Sequence, residues 1–288
     1  MRRFRVAVAQ IAPALGDVER NLALHEKMAR EAIARSVNLL VFPELSLTGY
    51  FLKDQVPSVA LSEEAPALLA LRELSHRVAL VVGFVEERTG HQFHNAAAYL
   101  EGGEIRHIHR KVYLPTYGIF DEQRYLAPGG RIQAFDTALG RFAILICEDM
   151  WHPAVAGIAA WDGAEMLICP SASPGRGPGQ EGEPFQNART WERIVQAYGD
   201  LYTCFVVYAN RVGYEDGACF WGGSAIVGPA GQPLAKAGYL QEEFCEVELE
   251  PGSLRRARVA NPLLRDERLE LTLRELTRIH QAHAGGAA

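Results

Sequence analysis

Three short segments constrain this chain more than anything else in it: FAILICED (142–149), AEMLICPSA (164–172) and CFVVYANRVG (204–213). Each is apolar on consecutive residues and not only on alternate ones, so each reads as a strand covered on both faces. Such strands demand layers above and below, and the rest of the chain supplies them. FRVAVAQIA (4–12), NLLVFPE (38–44) and ALVVGFVEE (79–87) read as further strands, and HNAAAYLEGGEIRHIHRK (94–111) as two strands around Gly102 and Gly103. NLALHEKMAREAIAR (21–35), capped by Asp17 or Asn21, and APALLALRELSHRV (65–78) carry apolar residues at helical spacing. GGSAIVGPAGQPLAKAG (222–238) predicts a hairpin turned at 229–231, and the chain from Leu263 a charged amphipathic helix that frays into AGGAA. Strands alternating with helices predict a layered α/β domain. With no Pro/Ser-rich linker and no internal repeat in 288 residues, one domain is expected over 1–262, followed by a helical tail over 263–288.

Charge and cysteine usage narrow the function classes. Lys and Arg number 29 against 35 Asp and Glu, a net charge of −6, which disfavours a nucleic-acid partner. No apolar run approaches the roughly 18 residues that span a bilayer, so no membrane partner is expected. The opening MRRFRVAVAQIAPALGD starts basic and turns apolar, but its apolar part alternates and contains Gln10 and Pro13; it reads as a buried first strand and not a leader. Five scattered cysteines without a C-x-x-C pair make no disulfide framework, and a cytoplasmic location is expected.

Cys147 carries the most chemical information. It ends an apolar strand and is followed at once by Glu148, Asp149 and Trp151, whereas Cys169 and Cys204 read as inert core thiols. Alone, a cysteine is more simply a small buried hydrophobe. A nucleophilic one needs a base or cation, because a free thiol near pKa 8.5 is only a few per cent ionised at neutral pH. Glu44 and Lys111 stand at the ends of two other apolar strands. Taken singly they are solvated strand-end charges; together with Cys147 they converge at one sheet edge, where α/β folds bind ligands.

Other patterns carry less. GPGQEG (177–182) fits G-x-G-x-x-G but is followed by Pro184 and more loop, so 173–185 reads as a functional loop or mobile lid. His107 and His109, with His91 and His94 nearby, lack a matched further ligand, so no metal site is expected. Arg255, Arg256 and Arg258 read as a solvated face, and Ser224 lies in no G-x-S-x-G elbow.

The segments LLVFPELSLTGY, RKVYLPTYGIFDEQRYLAPG and FAILICEDMW resemble the three signature blocks of the nitrilase, or carbon–nitrogen hydrolase, superfamily. VAVAQ, YANRVG and GGSAIVGPAG support a resemblance covering roughly 4–250. KVYLPTYGIFDE and CEDMW are most similar to the glutaminase domain of glutamine-dependent NAD synthetases. The resemblance implies a four-layer αββα sandwich that pairs as αββα–αββα into a homodimer or larger homo-oligomer. It implies a triad of Glu44, Lys111 and Cys147 with Glu122 as an additional active-site glutamate, and Tyr117, Glu148 and Ser173 as substrate-binding residues. Cys147 would attack an amide carbonyl, Lys111 and the N–H after Cys147 would hold the oxyanion, Glu44 would move the protons, and Glu122 would orient Lys111 or share the transfer. No metal and no organic cofactor is expected, since these groups supply every role.

Two departures from the synthetase pattern stand out. No SGG-x-DS motif is present, and the stretch after SASP is longer and rich in Gly and Pro, leaving Arg189 and Arg193 as candidates for a substrate-facing arginine. The expected function is a thiol amidohydrolase acting on a small, glutamine-like amide, alone or as a glutaminase subunit feeding ammonia to a synthetase partner. A nitrilase, an N-carbamoyl amine hydrolase and a catalytically silent scaffold of the same fold remain the rival readings.

Overall fold

The computed structural model describes residues 1–177 and 185–285, with side chains to 283. Strands β1 (Phe4–Gln10), β2 (Leu39–Val41), β3 (Ala79–Arg88), β4 (Gln92–Glu101) and β5 (Glu104–Arg110) form one sheet. Strands β6 (Phe135–Asp136), β7 (Arg141–Ile144), β8 (Met166–Ser171) and β9 (Phe205–Asn210) belong to a second. β10 (Val212–Glu215) and β11 (Ala218–Trp221) make a separate hairpin, β12 (Ala225–Val227) and β13 (Pro233–Lys236) extend the second sheet, and β14 (Glu243–Leu249) returns to the first. The first sheet runs β14-β1-β2-β3-β4-β5 and the second β13-β12-β9-β8-β7-β6. In each the middle is parallel (β1–β2–β3; β7–β8–β9) and the margins antiparallel. Parallel middles need both faces covered.

The cover is visible in how alternate residues divide. Val6, Val8, Leu39, Val41, Val81 and Tyr99 of the first sheet pack with the second sheet in one core. Ala7, Leu40, Leu80, Val82 and Ala98 point the other way, onto α1 (Val18–Ala34) and α2 (Pro66–Leu74). The second sheet's outer face takes Ala156 and Ala159 of α3 (Pro153–Trp161) and Trp191 and Val195 of α4 (Gln186–Leu201). The result is helix, sheet, sheet, helix, as expected. After β14 come α5 (Pro251–Ala260), a short turn Leu263–Asp266 and α6 (Leu269–Gly285). No helix among the described residues is long and apolar enough to cross a membrane.

Local chemistry explains several boundaries. Asp17 caps α1, its side chain accepting from Arg20 N–H at 3.0 Å, a contact of the kind worth about 1 kcal/mol. Several elements were not anticipated from sequence, among them β6, α3, α4, the β10–β11 hairpin, β14 and α5. The strand expected over 142–149 is shorter, since pairing stops at Ile144. Residues 178–184 of the Gly/Pro-rich stretch, and so most of GPGQEG, lie outside the described residues, as do the last residues of AGGAA.

Candidate active site

Glu44 lies three residues past the end of β2, in a segment that passes unusually close to β3. A Cβ on Gly83 would sit 2.5 Å from the Leu45 nitrogen and 2.6 Å from the Pro43 oxygen, so only glycine leaves the segment where it is. Both Glu44 oxygens are occupied. Oε1 accepts from Asn95 Nδ2 on β4 and from Lys111 Nζ, each at 2.7 Å, and Oε2 accepts the Ala172 N–H at 2.8 Å. Lys111 directly follows β5, which runs in the same direction as β2, so both side chains leave the same sheet edge. Its Nζ also donates to Glu122 Oε1 at 2.7 Å, and that oxygen accepts the Tyr50 hydroxyl as well. Glu122 opens the helical turn Glu122–Tyr125.

One cation therefore sits between two carboxylates, all of them buried. Burial raises the Glu122 carboxyl to about 7; Lys111 pulls it down and Glu44 pushes it up. Burial pulls the Lys111 ammonium down, but Glu122 and Glu44 together outweigh it and hold it well above its ordinary range.

Cys147 comes from the second sheet. Instead of ending a strand, it opens a 3₁₀ turn, Cys147–Trp151, with φ at +43°. Few non-glycine residues adopt that region. Asp149 fixes the reversal: Oδ2 accepts from Ile146 N–H at 3.0 Å and from His109 Nε2 at 2.8 Å, while Oδ1 accepts the N–H groups of Val112 and Tyr113, both at 3.0 Å. Asp149 thus ties the cysteine's turn to the residues just beyond Lys111, which fixes the spacing of the two halves. Nothing in the sequence pattern singled it out. The Cys147 sulfur accepts from Ser171 Oγ at 3.3 Å. Burial, then Glu44, push the thiol well up, against the pull of Lys111. At rest Cys147 is a neutral thiol.

The expected substrate-binding residues divide. The Tyr117 hydroxyl donates to the Glu148 carboxylate at 2.9 Å. Ser173 is buried, its N–H bonded to Asn210 Oδ1 at 2.9 Å and its hydroxyl oxygen accepting from Trp191 Nε1 at 2.9 Å and Asn187 Nδ2 at 3.3 Å. Arg189 and Arg193 lie on the exposed side of α4. Arg176, which the sequence reading missed, holds its guanidinium 5.3 Å from the Tyr117 ring centre and 5.5 Å from that of Phe120. A cavity of about 100 Å³, lined by Tyr50, Phe51, Phe120, Tyr125 and Leu126, reaches Glu122.

The histidines are engaged elsewhere: His94 with the Ala127 carbonyl, His91 with Glu87, and His107 stacked on Phe135. Among the described residues no three His, Cys, Asp or Glu side chains are grouped to hold a metal.

The sequence profile of the carbon–nitrogen hydrolase family matches residues 5–259. The chain belongs to this family. It is similar to the glutamine-dependent NAD(+) synthetase of Thermotoga maritima, 33% identical over 267 residues, covering 91% of the chain and 45% of that protein. The chain thus spans about half the length of such curated relatives. The N-carbamoylputrescine amidase of Arabidopsis thaliana is 27% identical, covering 94% of the chain and 95% of that protein. Among solved structures, a variant of the amidase from Nesterenkonia sp. AN1 carries an acrylamide adduct at its active-site cysteine. It superposes with a TM-score of 0.79 at 27% identity, covering 94% of this chain and 99% of that one. This carbon–nitrogen hydrolase is accordingly an enzyme that cleaves non-peptide C–N bonds.

Proposed function

We propose that this carbon–nitrogen hydrolase cleaves a small amide with an amino-acid head group, glutamine being the leading case, to the carboxylate and ammonia. The observation that carries the reading is the charged group around Glu148, the residue after Cys147, where the Tyr117 hydroxyl meets the Glu148 carboxylate and the Arg176 guanidinium lies across the Tyr117 ring. Glu148 suits an ammonium and Arg176 a carboxylate, and the Ser173 hydroxyl, already accepting two hydrogen bonds, keeps its own hydrogen to donate.

Catalysis then follows from the four buried groups. Because the resting thiol is neutral, Glu44 takes its proton as the sulfur forms its bond to the amide carbon. Lys111 and the backbone N–H of Glu148 hold the oxyanion, contacts of a kind worth about 3–4 kcal/mol each. Glu44 returns the proton to the nitrogen, the C–N bond breaks, and ammonia leaves a thioester. Glu44 next takes a proton from water, whose oxygen attacks the thioester carbon; the C–S bond then breaks, the acid product leaves, and Glu44 gives its proton to the departing sulfur, restoring the thiol. Glu122 orients Lys111 throughout.

A second reading, an N-carbamoyl amine hydrolase, is supported by the near full-length match to the Arabidopsis amidase and by Glu148 as partner for a lone ammonium. Ammonia release from glutamine, butyramide, an N-carbamoyl diamine and an aliphatic nitrile separates the readings. Glutamine turning over fastest supports ours, and a preference for uncharged amides or the carbamoyl compound overturns it. Glu148→Gln should raise KM for glutamine roughly tenfold or more and leave butyramide little changed. Equal loss on both substrates assigns Glu148 to support of the Cys147 turn. The proposal extends to a homodimer or larger oligomer and to a synthetase partner that accepts the ammonia, both checked by light scattering and co-purification.

A further inference from the structure

Arg211 and Glu215 form an ion pair inside the fold that the chemistry above does not use. Arg211 is 1% exposed and Glu215 6%. The guanidinium lies 4.3 Å from the Phe220 ring centre and donates to the Pro13 carbonyl at 3.2 Å and to Glu215. Desolvation offsets most of the attraction within such a pair, so stability alone is a weak reason for it. The other Glu215 oxygen has a more specific task. It accepts the backbone N–H groups of Tyr50 at 2.8 Å and Phe51 at 2.6 Å. Tyr50 then places its hydroxyl on Glu122 Oε1, the oxygen that also receives Lys111. Glu122 Oε2 is buried without a hydrogen-bond partner. The carboxylate is therefore oriented from one oxygen only, by Lys111 and Tyr50.

We propose that the Arg211–Glu215 pair is a positioning device for the active site: it clamps the backbone at Tyr50 so that the phenol stays on Glu122 and favours its ionised form. The inference rests on reading Glu122 as part of the catalytic machinery. The titratable groups facing Glu122 are Lys111 after β5, Glu44 after β2, and Tyr50 on the following loop, with the Cys147 thiol beyond them. Burial, with the nearby carboxylates adding to it, raises the Tyr50 phenol far out of the working range, so Tyr50 acts only as a donor. A donor on a carboxylate lowers its pKa, and loss or loosening of that donor raises it.

The test is the pH profile of kcat/KM for ammonia release, measured on the full chain. Glu122→Gln comes first: retained activity with a wild-type acidic limb overturns the Glu122 assignment itself. With Glu122 upheld, Tyr50→Phe should move the acidic limb up by roughly half to one pH unit. The paired change Arg211→Met with Glu215→Gln removes both charges together, so no buried charge is stranded, and replaces two charge-assisted bonds to the Tyr50–Phe51 backbone by weaker neutral ones. It should move the limb in the same direction by a smaller step, and adding Tyr50→Phe should bring the limb no further than Tyr50→Phe alone. Should that pair not fold, Glu215→Asp, which keeps the charge but withdraws it by one methylene, gives the same reading. A limb that stays in place while activity falls with the folded fraction would show the pair to be structural only. Shifts that simply add between Tyr50→Phe and the paired change would also overturn the proposal.

Discussion

The two sheets bring different halves of the candidate site. The first supplies charge: Glu44 beyond β2, Asn95 on β4, Lys111 beyond β5 and Glu122 close after it are joined by hydrogen bonds of 2.7 Å. The second supplies the thiol, on a turn with a strained backbone and a single hydroxyl contact from Ser171. The links that span the halves at this point include the Ala172 N–H on Glu44, Asp149 reaching back to His109, Val112 and Tyr113, and the Tyr117 hydroxyl on Glu148. The charged half is held by side-chain hydrogen bonds among its own members, whereas the thiol half is placed by its backbone. Substitutions on the two sides should therefore fail differently.

Cys147→Ala should give the largest effect, a loss of at least about 10⁴-fold in turnover with the fold intact by circular dichroism. One equivalent of iodoacetamide should likewise label Cys147 and stop the reaction. Labelling of the part-exposed Cys219 with activity retained would break the assignment. On the charged side, Lys111→Met should lower kcat by about 10³-fold and stability by about 3–5 kcal/mol in urea unfolding, because two buried carboxylates lose their cation. Adding Glu122→Gln should recover part of that stability and none of the activity.

A smaller effect concerns pH and stability. The Glu122 carboxyl titrates higher in the fold than in the unfolded chain, from 4.5 to about 7, owing first to burial. The folded state then binds the extra proton between those values, so this group's contribution to stability is largest below pH 4.5 and is lost as pH rises through 7. The melting temperature of wild type relative to Glu122→Gln should fall over that range and level off above it; a flat difference would show that Glu122 is ionised throughout. Smallest of all, Ser171→Ala should change kcat only a few-fold, since its hydroxyl bonds a neutral sulfur.

Sequence made the charged half readable and the thiol half less so. Glu44 and Lys111 stand out because a lone charge closing an apolar run is conspicuous, and strand direction then delivers both to one edge. Cys147 was singled out for the same reason, but not its left-handed backbone, which depends on Asp149 bonding groups 36 to 40 residues away in the chain. Arg176 sits among Gly and Pro, where no periodicity fixes direction. The α4 helix was legible in principle: Ala188, Trp191, Val195 and Tyr198 carry the helical spacing and are buried. The Gly/Pro-rich residues before it obscured where it starts. The Arg211–Glu215 pair reads in sequence as two ordinary strand residues, and only tertiary contact gives it a direction.

The left-handed φ of Cys147 has a practical consequence for anyone who wants an inert form of the protein. An alanine there inherits the strained backbone, whereas glycine adopts it freely and recovers up to about 1 kcal/mol. Glycine is therefore the better trap for capturing bound substrate, and Cys147→Gly should melt above Cys147→Ala. On the proposed mechanism, the native chain gives up stability at the position where it needs a sulfur.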